Sequence, residues 1–148
     1  TVVWAAVSVR DVRRTVAAER RLLEREVTSL RDTLAIMQSA DRVRHAAITM
    51  GAQQGGMVIF VDDRSHRWNV VVYGVTVPSP GEVLQFWFIT EDGMVRGVEV
   101  KPHGTGPAFL TLEMPAVGGK VMGAALTMEP TWDAVGPPSG SELAHLIL

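Results

Sequence analysis

The sequence predicts a mainly β protein, an antiparallel β-sandwich preceded by a long N-terminal α-helix that serves as a coiled-coil stalk. Residues 2–37 contain no Pro or Gly, and apolar residues recur there every seven positions. After Gly51, short apolar runs alternate with turn residues at regular spacing, which is typical of a sandwich or barrel. No connection there holds a periodic apolar run of helix length, which excludes parallel βαβ units. We therefore divide the chain into a helical segment, residues 1–40, and a sandwich domain, residues 41–148.

The composition fits one modest globular domain with an appendage. Of 148 residues, 47% are hydrophobic and 20% are charged, which argues against a disordered chain. Lys and Arg number 14 against 16 Asp and Glu, and the net charge of −2 gives no reason to expect a nucleic-acid partner. The absence of cysteine excludes disulfides, cysteine nucleophiles and cysteine-ligated zinc, but it leaves the redox compartment open.

The first nine residues are almost wholly apolar and include Trp4. A bilayer span needs about 20 apolar residues, so this segment cannot cross a membrane, but it has the character of the end of a transmembrane helix with Trp at the interface. The alternative is an ordinary coiled-coil end or a helix covered by a partner. Arg10, Arg13 and Arg14 follow at once, and the positive-inside rule associates such residues with a cytoplasmic flank.

The helical segment carries a heptad repeat. Val2, Val9 and every seventh residue after them are assigned to heptad position d. Position a then holds Ala6, Arg13, Arg20, Val27 and Leu34. Two arginines therefore interrupt the apolar seam near its start. Val at a with Leu at d favours a parallel two-stranded coil. The alternative is a single helix that lays this stripe on its own domain, but the charged residues on the other faces favour self-association. We predict a homodimer whose interface comprises Val16, Leu23, Val27, Leu30, Leu34 and Met37.

Residues 82–90 predict the central strand of the domain. Alternate positions fall on opposite faces, with Val83, Gln85, Trp87 and Ile89 on one face and Leu84, Phe86, Phe88 and Thr90 on the other. Both faces are largely apolar, so we expect this strand in the middle of a sheet, covered on both sides, with Trp87 buried. The following Glu91-Asp92-Gly93 predicts a type I′ hairpin turn that leads into a strand over residues 94–100.

The remaining strands follow from β-branched and aromatic runs bounded by turn residues. Residues 43–50 are compatible with a continued helix or a first strand, and Ile48-Thr49 together with the closing glycines Gly51 and Gly55-Gly56 favour the strand. The other predicted strands are residues 57–61, 68–77, 108–114, 121–128 and 143–148. Between the last two of these we expect a long irregular stretch, residues 129–142.

Little in the sequence indicates catalysis or metal binding. The four histidines lie far apart without motif spacing, so only the fold could assemble a metal site from them: His45, His66, His103 and His145. Adjacent Asp62 and Asp63 are more simply solvated turn residues. Gly104-Thr105-Gly106 lacks the residues of a phosphate loop, and Ser139 lacks the Gly-x-Ser-x-Gly frame of a nucleophile elbow. We therefore expect no enzymatic activity and no catalytic, cofactor or metal site.

Four motifs, in order, resemble the C-terminal domain of the anti-sigma-K factor family. They are residues 81–89, Gly97, Leu126-Thr127-Met128-Glu129-Pro130 and Pro138-Ser139-Gly140, and the resemblance covers about residues 46–148. The chain departs from the family pattern at Leu84, where Tyr is usual, at Trp132-Asp133, where a Gly-Gly pair is usual, and at Ser139, where Thr is usual. We therefore expect a different shape for the loop over residues 131–140.

The resemblance implies a bacterial, single-pass anti-sigma factor of the cell membrane. In that family, a cytoplasmic domain sequesters a sigma factor, one transmembrane helix follows, and an all-β domain lies outside. Residues 1–9 would then be the outer end of the membrane helix, the sigma-binding domain would precede Thr1, and this chain would be an extracytoplasmic sensor or scaffold. Site proteases would act on it to release the sigma factor. The arginines at positions 10–14 conflict with this orientation, although Asp11 among them reduces the conflict.

The alternative is a different class of protein, an extracytoplasmic binding module on a helical stalk. Loops at the ends of a sandwich commonly carry recognition, and the fold alone does not choose between the two classes. Such a module would bind carbohydrate, peptide or another envelope ligand.

Overall fold

A computed structural model describes residues 2–104, 106–132 and 135–148; within the helix it describes the side chains of residues 14–32, 34, 35 and 37–39. Helix α1 spans Val2–Ser39, as predicted. Its 38 residues correspond to roughly 57 Å at the standard rise of an α-helix. The chain forms two compact units, Thr1–Gln38 and Ser39–Leu148.

No helical stretch among the described residues is long and apolar enough to cross a membrane. Residues 1–9 are predicted to form the outer end of a transmembrane helix. Thr1 and the side chains of residues 2–9 lie outside the described residues, so this stays a prediction.

The described residues of the second unit form eight strands in two antiparallel sheets, which confirms the predicted sandwich. The first sheet has the order β1-β2-β3-β6 and the second the order β5-β4-β7-β8. The strands are β1 Arg42–Met50, β2 Gln53–Asp62, β3 Arg67–Tyr73, β4 Glu82–Thr90, β5 Gly93–Val100, β6 Ala108–Glu113, β7 Val121–Pro130 and β8 Ser141–Ile147.

Aromatic rings form the centre of the core between the two sheets. Trp68 of β3 packs against Phe86 and Phe88 of β4, with ring centroids 6.5 and 5.2 Å apart, in edge-on and tilted arrangements that aromatic pairs prefer. Aliphatic side chains from both inner faces surround the rings and are buried: Ile48, Met57, Ile59, Val61, Val70, Val72, Leu84, Leu112, Ala124, Leu126 and Leu146.

Strand β4 lies between β5 and β7, so the predicted central position is confirmed. Leu84, Phe86 and Phe88 point into the core between the sheets. Trp87 lies on the opposite, outer face of the sheet and yet is only 1% exposed. Both faces of β4 are therefore covered, as its two apolar faces predicted, and the cover over Trp87 is part of the candidate site.

The β4–β5 hairpin is present, but the predicted type I′ turn is wrong. Strand pairing runs to Thr90 and Gly93, which leaves Glu91 and Asp92 as the two loop residues. Neither has a positive φ, since the only described non-glycine residue with one is His66. Gly93, the first residue of β5, instead has a φ of 127°, a conformation that glycine adopts readily. The Thr90 hydroxyl donates a hydrogen bond to the Gly93 carbonyl at 2.7 Å.

The prediction that Gly55 and Gly56 close the first strand is wrong, because both lie inside β2. The turn after β1 is made by Gly51 and Ala52. The reason is a close approach of neighbouring strands. A Cβ at position 55 would lie 2.2 Å from the carbonyl oxygen of Tyr73, so only glycine fits there. Strand β3 also ends at Tyr73, four residues earlier than predicted, because Gly74 turns the chain at a φ of 69°.

We expect Gly55→Ala to destabilise the sandwich by about 1–3 kcal/mol, because the added methyl group collides with backbone that cannot move aside. Gly106→Ala is the matched control, since its Cβ would meet nothing nearer than 3.6 Å. The free energy of unfolding, measured by urea denaturation, should fall for the first variant and stay within about 0.5 kcal/mol of wild type for the second. Equal stability of the two variants would contradict the tight approach of β2 and β3.

Candidate functional site

The outer face of the second sheet carries a buried polar cluster rather than solvent-exposed side chains. Strand pairing places Gln85 opposite Thr127, and Trp87 opposite Arg96. Glu129 follows two residues after Thr127, on the same face of β7. We call these five residues and the loop segment that contacts them, residues 136–140, the Glu129 cluster.

Glu129 is the most deeply buried polar residue of the cluster, with 0% exposure. One carboxylate oxygen, Oε1, accepts a hydrogen bond from the Thr127 hydroxyl at 2.5 Å. The other, Oε2, accepts three bonds of 3.0 Å each, from the amide and the hydroxyl of Ser139 and from the amide of Gly140. A carboxylate on β7 therefore holds the end of the loop that leads to β8.

Only glycine fits at position 140, because the loop backbone lies against β7 there. A Cβ on this residue would lie 1.6 Å from the carbonyl oxygen of Met128, so any side chain would push the loop away from β7. The glycine lets the loop backbone come close enough for its amide to reach Glu129.

The hydrogen bonds determine the charge state of Glu129. Burial raises the pKa of the Glu129 carboxyl, but the hydrogen bonds from Thr127, Ser139 and Gly140 lower it, and the net result is a pKa below the ordinary value of 4.5. Glu129 is therefore ionised at neutral pH. Burying such a charge is tolerable only because donors surround the carboxylate.

Trp87 is joined to the same network through its polar edge. Its Nε1 donates to the Thr127 hydroxyl at 2.7 Å, and that hydroxyl in turn donates to Glu129. The Arg96 guanidinium lies 4.4 Å above the indole ring, a cation–π arrangement. Arg96 also donates to the Gln85 side-chain oxygen at 3.2 Å and to the Gly136 carbonyl at 3.1 Å. The loop is thus bound both by Arg96, which lies over Trp87, and by Glu129.

The cluster brings together residues from three of the four motifs of the sequence. Gln85, Trp87, Thr127, Glu129, Ser139 and Gly140 take part directly. Gly97 lies against the other face of β4, where a Cβ would be 2.9 Å from the Phe86 ring. Ser139 serves as a donor to a carboxylate, which is a structural role, and the arrangement binds a loop rather than polarising a substrate.

Sequence reasoning missed Glu129 and Arg96 as members of a site. A signal was present, because Thr127 and Glu129 alternate with Leu126 and Met128 in an otherwise apolar strand. That pattern is compatible with an ordinary solvent-facing strand, and only the loop shows that the polar face is covered. The predicted irregular stretch of residues 129–142 is also shorter than expected, since β7 continues to Pro130 and β8 begins at Ser141.

The loop between β7 and β8 exposes two large apolar side chains. Trp132 is 83% exposed and Val135 is 94% exposed, while Ser139 and Gly140 anchor the loop end. Trp132 is one of the positions at which the sequence departs from the family pattern given above. Trp132 is therefore a large apolar side chain in solvent, on a loop whose end is fixed.

The histidines are dispersed over the described part of the fold. His45 Nε2 lies 3.0 Å from the Tyr73 hydroxyl, His66 occupies a turn at a φ of 54°, His103 contacts the Lys101 carbonyl, and His145 lies 3.3 Å from Glu142. Among the residues that the structure describes, no group of three or more potential ligands is positioned to hold a metal ion. Asp62 accepts hydrogen bonds from the Arg64 and Ser65 amides, which is the turn role predicted for it.

The predicted dimer interface forms a stripe along α1. We call it the helix stripe; its members Val16, Leu23, Val27, Leu30 and Leu34 are between 45% and 61% exposed in the single chain, and Met37 is half-buried. Arg20, which lies on this stripe, forms a 2.9 Å ion pair with Glu24 of the next turn. A dimer through the helix stripe remains a prediction.

One protein-family model matches the chain, and its description is "Anti-sigma-K factor rskA, C-terminal". The match spans residues 1–141, so it includes α1 as well as the strands that carry the motifs. No curated protein and no solved structure shows significant similarity to the chain.

We expect Trp87→Ala to destabilise the domain by about 3–5 kcal/mol, because it removes a large buried side chain and leaves the Thr127 hydroxyl without its donor. Trp132→Ala, which truncates the same residue type at an exposed position, should change stability by less than about 0.5 kcal/mol. Denaturant unfolding of the two variants tests this difference. A small effect of Trp87→Ala would contradict its burial under the loop.

Glu129 should make the domain sensitive to acid. Because the pKa of its carboxyl is lower in the folded than in the unfolded chain, its contribution to stability is fully present above about pH 4.5 and is lost as the pH falls through the folded-state pKa. Glu129→Gln should lower stability at pH 7 by about 1–3 kcal/mol and flatten the pH profile below pH 4.5. Glu113→Gln, at a largely exposed side chain, is the control. A variant profile parallel to wild type would contradict this role of Glu129.

Proposed function

Because the chain belongs to the family of anti-sigma-K factor RskA C-terminal domains, we propose that it is the extracytoplasmic sensor or scaffold domain of a single-pass anti-sigma factor of the cell membrane. The observation that carries the proposal is the family match over residues 1–141. In this proposal, a cytoplasmic domain that precedes residue 1 sequesters the sigma factor. The described domain regulates that inhibition without contacting the sigma factor itself.

The proposed route from domain to sigma factor passes through the helix and the membrane. The apolar residues 1–9 would continue from a membrane span, and α1 would connect that span to the sandwich. A ligand or partner alters such an assembly only if it binds one arrangement better than another. Proteolysis outside the membrane, by site proteases, would then release the sigma factor.

The Glu129 cluster supports a role in regulation rather than catalysis. Its carboxylate and the Ser139 hydroxyl bond to each other, so the polar groups are engaged in holding the loop. A loop held at discrete points has a closed arrangement, from which release is a defined change. We infer that opening of this loop is the change to which a signal would couple.

The helix stripe supports self-association as part of the same proposal. Each of its side chains contributes roughly 1.5–3 kcal/mol when fully buried, and soluble proteins avoid leaving such a seam in water. A second copy of α1 covers the stripe along its length. Pairing of the two helices would also hold two sandwich domains next to each other, each on its own membrane anchor.

A binding module for an envelope ligand is the second candidate, and exposed Trp132 favours it. Tryptophan provides a large, rigid contact surface with little loss of conformational entropy. If the domain binds glycans or envelope peptides, these should raise its melting temperature, and Trp132→Ala should abolish the shift while leaving the unliganded protein unchanged. Absence of any shift with either ligand class would favour the scaffold role.

The purified chain is expected not to bind the cognate sigma factor, because the proposed inhibitory surface lies before residue 1. Isothermal titration calorimetry should show no heat of binding with this chain, whereas the full-length protein in detergent should bind. Binding of the isolated chain would place the inhibitory surface within it and contradict the proposed division of roles.

Replacing both Leu23 and Leu30 with Asp should convert the chain to a monomer, because two charges in the helix stripe would have to be buried on pairing. Leu22 is the matched control: it is also an exposed leucine of α1, but it lies off the stripe, so Leu22→Asp should leave the dimer intact. Light scattering gives the mass directly. A wild-type chain that remains monomeric at high concentration would contradict self-association.

A further inference from the structure

We propose that the outward face of the first sheet binds a neutral, linear polysaccharide, which stacks on three aromatic side chains, His45, Tyr73 and Phe109. We call these three residues the aromatic row. The proposal goes beyond the sensor or scaffold role, which names no ligand, and it does not depend on that role. It also concerns a different surface from Trp132, which follows a strand of the second sheet.

The aromatic row runs across the first sheet from β1 to β6. Val72 points into the core, so its neighbour Tyr73 points outward. Tyr73 pairs with Gly56 of β2, and His45 of β1 lies diagonally opposite the same glycine. Phe109 of β6 lies diagonally opposite Tyr73, a separation that aromatic side chains can reach across. At a strand spacing of about 4.7–4.9 Å, a row across four strands is roughly 14 Å long.

His45 and Tyr73 form one nearly planar surface. His45 Nε2 lies 3.0 Å from the Tyr73 hydroxyl, and the two ring planes differ by only 12°. The ring centroids are 6.3 Å apart, which is too far for a face-to-face stack, in which carbon atoms approach to about 3.5–4.0 Å. The rings are therefore joined end to end by the hydrogen bond. Both residues are exposed, and so is Phe109.

Gly56 makes the end-to-end arrangement possible. It is buried, although it lies on the outward face of β2. A Cβ at this position would lie 2.6 Å from His45 Nε2, so the hydrogen-bonded ends of the two rings lie directly over the glycine. Any side chain at position 56 would push the rings apart.

The outward face around the aromatic row carries no formal charge. It extends from the paired residues Val43 and Phe60 to the paired residues Thr49 and Gln54, and no outward residue described between these two pairs is Asp, Glu, Lys or Arg. Single-stranded nucleic acid also stacks on aromatic rings, but its binding requires a positively charged groove. The uncharged face therefore favours a neutral ligand.

Hydrogen-bonding side chains flank the aromatic row on both sides. Thr49 and Gln54 lie on one side, and Asn69 and Thr111 lie on the other. The Thr111 hydroxyl donates to Asn69 Oδ1 at 3.0 Å. Asn69 is only 6% exposed, and its side-chain nitrogen has no acceptor among the described residues. A buried donor without a partner is costly, and a hydroxyl oxygen of a ligand can supply the acceptor.

A pyranose sugar has the chemistry that this surface requires. Its two faces present C–H groups, which carry a partial positive charge and stack favourably on the negative faces of aromatic rings. Its hydroxyl groups lie around the edge of the ring, where they can reach the flanking side chains. Because the aromatic row is straight and roughly 14 Å long, it favours several sugars linked in line.

Isothermal titration calorimetry of the whole chain with cellohexaose and chitohexaose, two neutral linear oligosaccharides, tests the proposal. We expect at least one of them to bind in the millimolar range or tighter. Tyr73→Ala should weaken that binding by at least about tenfold, because it removes the central ring of the aromatic row. Trp132→Ala is the matched control, since it removes an exposed aromatic ring from the other sheet and should bind as the wild type does.

Two further variants test the arrangement of the rings. Gly56→Ala keeps every ring of the aromatic row but pushes His45 and Tyr73 apart, so it should weaken binding about as much as Tyr73→Ala does. Tyr73→Phe keeps the ring and loses only the hydrogen bond to His45, so its effect should be smaller. Urea denaturation shows whether each variant is folded. Should Gly56→Ala not fold, His45→Ala, which changes an exposed residue, replaces it and should also weaken binding.

Three results would overturn the proposal. The first is that neither oligosaccharide binds the wild-type chain. The second is that Trp132→Ala abolishes binding while Tyr73→Ala does not, which would assign the ligand to the loop between β7 and β8. The third is that Tyr73→Ala converts a dimer to a monomer and no oligosaccharide binds, which would assign this face to a second copy of the chain. The family assignment is unaffected by all three results.

Discussion

The buried carboxylate of Glu129 is the interaction on which the second sheet depends. A charge taken out of water costs several kcal/mol unless hydrogen-bond donors meet it. Here the donors come from Thr127 on the same strand and from Ser139 and Gly140 on the following loop. The charge is therefore satisfied only while the loop is in place, and the same loop accepts a hydrogen bond from Arg96, the residue that lies over Trp87. One carboxylate thus links strand, loop and aromatic side chain.

This arrangement gives the sandwich two distinct buried layers. Between the sheets, Trp68 and the phenylalanines of β4 form the centre of an apolar core. Outside the second sheet, Trp87 is buried by polar contacts instead, with Arg96 above its ring and Thr127 at its edge. The first layer stabilises the fold regardless of the loop. The second depends on the loop, because Arg96 and Glu129 both bond to loop residues.

The sequence predicted the elements well because period and composition are local. The two apolar faces of β4 indicated a central strand covered on both sides, and the heptads indicated the helix. Errors arose where partners distant in the chain decide the structure. Gly55 was read as a turn residue, but it makes room for Tyr73. Glu129 was placed in an irregular stretch, but it lies in β7 and is buried by contacts with the following loop. The prediction of a type I′ turn at Asp92-Gly93 was wrong, because glycine allows several conformations with positive φ and the dipeptide alone does not distinguish them.

The central claim is that the Glu129 carboxylate holds the loop closed, and amide hydrogen exchange measures this directly. The Ser139 and Gly140 amides each donate to Glu129 at 3.0 Å. We expect both to be protected at neutral pH in the wild-type protein and to exchange much faster in Glu129→Gln, while amides of β2 and β3 keep their protection. Exchange of Ser139 and Gly140 at the unprotected rate in the wild type, or unchanged protection in the variant, would contradict the account.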